Sequence, residues 1–208
     1  KTYIKLKYYV LLGKRVNLKN PVTFQEKLQW IKLNDRKEIY HKMVDKAEVK
    51  KFVADRIGQE YIIPTIGLWN SFDEIDYDKL PDQFILKCTF DSGSYYICKD
   101  KNKLDLNAVK RKLLVNWGKD YSIWAREWAY KGLKQRIIAE PLLNDGLGEY
   151  LTDYKFYTFN GVPKFYYVTS NRGSNTGLCE DFFDIKGNHM ELSQRGFPNN
   201  KITPSLPV

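Results

Sequence analysis

The sequence predicts an α+β fold, with helices first and antiparallel strands after them. Three observations carry this prediction. Two capping signatures, Thr23 with Glu26 and Asp45 with Glu48, open helical stretches early in the chain. Residues 83–90 and 95–98 are apolar, aromatic and β-branched runs parted by the turn-forming Asp91-Ser92-Gly93-Ser94. Asn160-Gly161 stands between two more strand-like runs, 152–159 and 162–169, and this dipeptide is the strongest short-range hairpin signal.

Composition narrows the function classes. A chain of 208 residues suits one compound domain or two small ones, and a hydrophobic fraction of 43% excludes a disordered tail. Lys plus Arg number 34 against 25 Asp plus Glu, a net +9 spread along the chain. That balance suits nucleic acid, an anionic membrane surface or an anionic small substrate. Zinc-finger spacing and RNA-binding aromatic motifs are absent from the sequence, so nucleic acid is not expected. Cys88, Cys98 and Cys179 lack metal-ligand spacing. The first two sit in strand-like runs and read as buried thiols of a reducing compartment, so a cytoplasmic protein is expected. His41 and His189 lie far apart and form no catalytic signature. No run approaches the ~20 apolar residues of a membrane span, and no signal peptide is recognised. The chain starts at Lys1 and ends Pro204-Ser205-Leu206-Pro207-Val208 without a closing element, so it reads as an excerpt of a longer protein.

The elements follow in order. Residues 1–16 are basic and aromatic and helical up to Gly13. A packed amphipathic helix with a solvated lysine face is expected there, in preference to membrane attachment. Asn20-Pro21 resets the chain, and a helix with Phe24, Leu28 and Ile31 on its apolar stripe runs to about 34–36. A second helix is expected over 46–57, capped by Asp45 with Glu48 in the reciprocal position and stopped by Gly58. Residues 65–69 form a short strand, and Ser71 caps a turn over 72–75. The strand 83–90 carries Lys87 into Ser92-Gly93-Ser94, a loop whose backbone N–H groups and hydroxyls suit a phosphate. A polar hairpin turn with a solvated lysine is the plainer alternative. A helix is expected over 104–117, followed by a segment rich in tryptophan (Trp117, Trp124, Trp128) in which packing is the commoner use of such rings. Residues 136–143 read as a buried strand ending in Glu140 and Pro141, 144–148 and 169–177 as loops, and 178–185 with 189–192 as a last hairpin around Lys186-Gly187-Asn188.

Several of these pieces recur in one order: residues 20–36 (NPVTFQEKLQWIKLNDR), Val44-Asp45-Lys46, 71–87 (SFDEIDYDKLPDQFILK), 97–101 (ICKDK), Arg126-Glu127-Trp128, 137–140 and 153–161 (DYKFYTFNG). This set resembles the ATP-grasp superfamily, and within it the TupA-like proteins of teichuronopeptide biosynthesis. The resemblance implies an incomplete ATP-grasp fold: an N-terminal helical region (1–44), a lid subdomain (45–135) and the start of the C-terminal antiparallel core (136–208). It implies that Lys46 and Lys87 contact ATP phosphates and that Ser92, Gly93 and Ser94 form the phosphate loop. Glu140 and the backbone of Pro141, Leu142 and Leu143 would hold adenine, and Asp153 the ribose hydroxyls. Lys155 would face phosphate or solvent. The family's loop is closer to Asn-His-Gly-Ser-Gly-Gly, so Asp91 puts a carboxylate beside the implied phosphates. ATP and Mg²⁺ are the implied cofactors, with metal ligands expected beyond Val208 and no metal or catalytic residue assigned within the chain. These residues alone would then not catalyse.

The function implied is an ATP-dependent carboxylate–amine ligase acting through an acyl phosphate, in assembly of bacterial surface polysaccharide or teichuronopeptide. Its partner would be an acidic saccharide or peptide acceptor, with peripheral membrane contact left open. The alternatives are a glycosyltransferase or polysaccharide-modifying protein of the same gene clusters, with Trp124 and Trp128 stacking on sugar, and a degenerate nucleotide-binding module.

Overall fold

A computed structural model describes residues 1–144, 151–171 and 177–202. Most of the loops read over 144–148 and 169–177, the terminal stretch from Pro204, and the side chain of Trp124 lie outside the described residues. The chain divides into two units, Lys1–Leu142 and Leu143–Val208.

The first unit opens with α1 (Thr2–Leu12), closed by Gly13. The expected packing of α1 is found only in part: Ile4 is its one buried side chain, while Leu6 and Val10 are exposed. The apolar residues of this helix occur on all sides, so one face can pack while another stays open. In α2 (Phe24–Asn34) the capping box forms as read, with both reciprocal bonds between Thr23 and Glu26. The Glu26 carboxylate also accepts from the Asn17 and Val22 N–H groups, and these bonds bring its pKa down to about 2.

A short helix, α3 (Ile39–Val44), has no counterpart in the sequence reading. Tertiary contacts hold it: Tyr40 donates to Asp35 at 2.8 Å, and His41 lies 2.7 Å from the Ala129 carbonyl against the Trp128 ring. Asp45 ends α3 and caps the next turn of chain, its carboxylate accepting from the Ala47 and Glu48 N–H groups at 2.8 and 3.1 Å. The strict helix α4 (Glu48–Ile57) starts two residues later than read. Glu48 does not close a capping box, because the Asp45 N–H bonds His41 and the Glu48 carboxylate pairs with Arg136.

Four antiparallel strands form one sheet in the order β1 (Gly67–Trp69), β4 (Ile137–Pro141), β2 (Phe84–Cys88), β3 (Tyr95–Cys98). β4, read as the start of a C-terminal core, ladders with β1 and β2 inside the first unit. Alternation splits the sheet into two faces. Phe84, Leu86 and Cys88, with Ile137 and Ala139, pack against Val109 and Leu113 of α5 (Leu106–Leu113). Each fully buried Leu or Phe here stabilises the fold by about 1.5–3 kcal/mol. Asp105 caps α5, which gives way to a 3-10 turn at Leu114–Asn116 where the longer helix was expected. The short α6 (Tyr121–Ala125) comes next. The turn at Phe72–Glu74 forms without a bond from Ser71; Glu74 caps it instead through the Asn70 N–H.

The second unit is a three-stranded antiparallel sheet, β5 (Asp153–Phe159), β6 (Val162–Ser170), β7 (Cys179–Asp184). Asn160 and Gly161 join β5 to β6 with φ of 51° and 78°, the two left-handed positions that a type I′ turn needs. Tyr166, Val168 and Phe183 form its core with Tyr154 and Ile202. The expected strand at 189–192 shrinks to one bridge between Phe183 and His189. Around it the Met190 N–H donates to the Phe182 carbonyl and the Asp184 N–H to the Asn188 carbonyl. Chain from 198 to 201 continues the same flank, where the Glu180 N–H donates to the Pro198 carbonyl and the Asn200 and Lys201 N–H groups bind the Asp181 carboxylate. Among the described residues no helix is long and apolar enough to cross a membrane.

Candidate functional site

The sheet face turned away from α5 carries the chemistry of the first unit. The register sets Leu68, Ile85, Lys87, Tyr95, Ile97, Ile138 and Glu140 on that one face. Lys87 opposes Ile138 and Ile85 opposes Glu140, so lysine and carboxylate sit on a diagonal within reach of each other. Lys87 Nζ meets one Glu140 oxygen at 2.6 Å. Lys50, from α4, meets the other at 2.6 Å and also donates to the Ile63 carbonyl. Glu140 is 5% exposed. Burial pushes its carboxyl up, but the Lys50 and Lys87 ammoniums outweigh burial and hold it below the usual carboxylate range. The cluster keeps a net positive charge on a partly open face, with Leu68, Tyr95 and Ile97 exposed beside it.

Lys46, to which the resemblance gives a phosphate contact, is engaged within the fold. Its backbone N–H donates to Thr89, and its ammonium donates to the Cys88 carbonyl at 2.7 Å and to the Asp91 carbonyl. It ties the start of α4 to the end of β2 and the loop beyond. Burial pulls its pKa below the usual lysine range, against the opposing charge of Asp91. Arg136 braces the same junction with contacts of 3.1 Å to Asp45 and 2.9 Å to Glu48.

The loop has an inner and an outer half. Asp91 and Ser94 are 1% exposed each. The Asp91 carboxylate turns inward, accepting from the Ser94 hydroxyl and from Asn116 at 2.8 Å. Its charge is therefore directed away from the loop tip. Asp91 Oδ1 and Thr89 Oγ1 are buried without a hydrogen-bond partner. Ser92 and Gly93 form the exposed tip. Gly93 adopts φ 101°, and nothing lies within 4 Å of where a Cβ would stand. Of the proposed phosphate loop, then, the structure leaves Ser92 and Gly93 open and engages Ser94 internally.

Past β4, Leu142 is half-buried and Leu143 exposed. In the second unit Asp153 accepts from Lys155 at 3.0 Å and from the Thr169 hydroxyl at 3.3 Å, and Lys155 lies 5.7 Å from the Tyr167 ring. Alternation puts Asp153, Lys155, Tyr167 and Thr169 on one face. Sequence reasoning missed Lys50, Arg136 and Asn116. Lys50 alone had a signal, standing one helical turn beyond Lys46.

Elsewhere in the first unit a cavity of about 280 Å³ is lined by Lys32, Arg36, Arg126, Lys131 and Trp128. Arg126 reaches it from a left-handed backbone position, φ 54°. Cys88, Cys98 and Cys179 are all buried free thiols, and burial pushes Cys88 up to about 12. Among the described residues no group of three or more His, Cys, Asp or Glu is placed to hold a metal ion.

The family model described as TupA-like ATPgrasp matches residues 26–202. No curated protein and no solved structure matches the chain.

Proposed function

Since the chain belongs to the TupA-like ATP-grasp family, we propose that it binds ATP through the Lys87–Glu140–Lys50 face and serves an ATP-dependent ligase-type reaction. The paired lysines carry this reading: two ammoniums held by one buried carboxylate, on a sheet face that is open beside them. Lysine neutralises polyphosphate as a compact point charge. Glu140 fixes where Lys87 points and limits the side-chain entropy that binding must remove. The open backbone of Ser92 and Gly93 supports an anion-binding turn, with Lys46 anchoring its base. The backbone of Pro141, Leu142 and Leu143 is assigned the adenine edge. Asp153 and Lys155, on the second unit, are assigned ribose and phosphate contacts.

In this class of reaction a substrate carboxylate oxygen takes the γ-phosphoryl group as the bond to the β–γ bridging oxygen breaks and ADP leaves, and an amine then attacks the acyl carbon, losing a proton as phosphate leaves. ATP-grasp proteins use Mg²⁺ with ATP. The proposed nucleotide contacts are lysines, the loop hydroxyls, backbone and the Asp153 carboxylate. The acceptor we propose is an acidic saccharide or peptide of bacterial surface-polymer assembly. The cationic cavity with Trp128 supports an anionic, ring-bearing ligand.

Calorimetry on the full chain tests the core of this proposal. ATP should bind, a UDP-sugar should not, and Lys87→Ala should weaken ATP binding at least tenfold, the size of one lost charge-assisted contact. ATP binding that ignores Lys87→Ala, or preference for the UDP-sugar, overturns it.

A further inference from the structure

We propose that α1 docks the protein onto an anionic lipid surface. One side of this helix packs on its own unit through Ile4. At about 3.6 residues per turn, Leu6, Tyr9 and Val10 share the opposite, outward side. They are 61%, 54% and 72% exposed. Lys5 and Lys7 fall on the two margins of that strip. An apolar strip facing outward between lysines matches a helix lying in a membrane interface, where the lysine stems run along the apolar layer and the ammoniums meet headgroups.

Charge selects the occupant. Lys1, Lys5, Lys7, Lys14, Arg15 and Lys19 precede Glu26 with no Asp or Glu among them. A second copy of the chain laid on this face would oppose cation to cation. An anionic lipid surface neutralises all of them at once. With lysines on both margins of the strip, the helix would lie in the plane of the surface. Its apolar strip is small, and binding of this kind needs the apolar and the electrostatic contribution together.

Flotation of the full chain with lipid vesicles tests this. The chain should float with vesicles of phosphatidylcholine mixed with phosphatidylglycerol, remain unbound with phosphatidylcholine alone, and be released by high salt. Lys5→Gln with Lys7→Gln should lower the partition coefficient about 25-fold, at roughly 5-fold per lysine. Leu6→Glu with Val10→Glu should abolish flotation. All four positions are on or beside the open face, and circular dichroism without lipid checks that each variant keeps its helix. No flotation, equal flotation with both vesicle types, or variants that float like the wild type would overturn the proposal. So would lipid-independent dimerisation that Leu6→Glu with Val10→Glu removes, which would identify a second copy as the occupant. ATP calorimetry on the same preparations keeps this result separate from the nucleotide reading.

Discussion

At neutral pH the Glu140 carboxylate is charged and joins Lys50 to Lys87 across α4, β2 and β4. Its native pKa is depressed, so its contribution to stability is complete above the unfolded value of about 4.3 and is lost as pH falls through the lower native value. Glu140→Gln should cost about 3 kcal/mol at neutral pH, because two lysines then lack their shared counter-charge. Urea titrations of wild type and variant should converge as pH drops below about 4. A gap that stays constant with pH would show that the ion pairs do not carry the effect. None of this could be read from the sequence, where Glu140 is a strand-end carboxylate and Lys50 one of many helical lysines. Their meeting depends on the β2–β4 register and on where α4 docks.

Elements that close on themselves were legible. The Thr23–Glu26 capping box and the Asn160-Gly161 turn need only a few neighbouring residues, and both form as read. Elements set by distant partners were not. α3 depends on Trp128 and Ala129, and the flank of β7 is shared between a single bridge at His189 and residues near Pro198. The strand read over 83–90 is right in kind, and its alternation gives a direct prediction. Leu86 is fully buried against the α5 side of the sheet. Leu86→Ala should destabilise by about 2–5 kcal/mol, whereas Ile97→Ala, on the exposed face of the edge strand β3, should cost under ~1 kcal/mol. Thermal unfolding of the two variants measures the contrast. A larger loss for Ile97→Ala would mean that the sheet faces are assigned the wrong way round, and equal losses that both faces are buried alike.

For the whole molecule, the net charge of +9 acts on any anionic ligand before contact is made. ATP affinity should therefore fall several-fold between low and physiological salt, as screening shortens the reach of that field to about 8 Å. Calorimetry across a salt series reads this slope, and a flat response would place the recognition in uncharged contacts. The loop after β2 adds a limit of length. Asp91 and Ser94 are pinned from inside, both by Asn116 and each by the other, while Ser92 and Gly93 stand clear. Two residues extend roughly 7 Å. In the phosphate-loop role proposed for it, a tip with so short a stroke would cover one small anion. The rest of a longer polyanion would be left to the lysines of the sheet face, and lengthening the tip, not recharging it, would be the way to widen its grip.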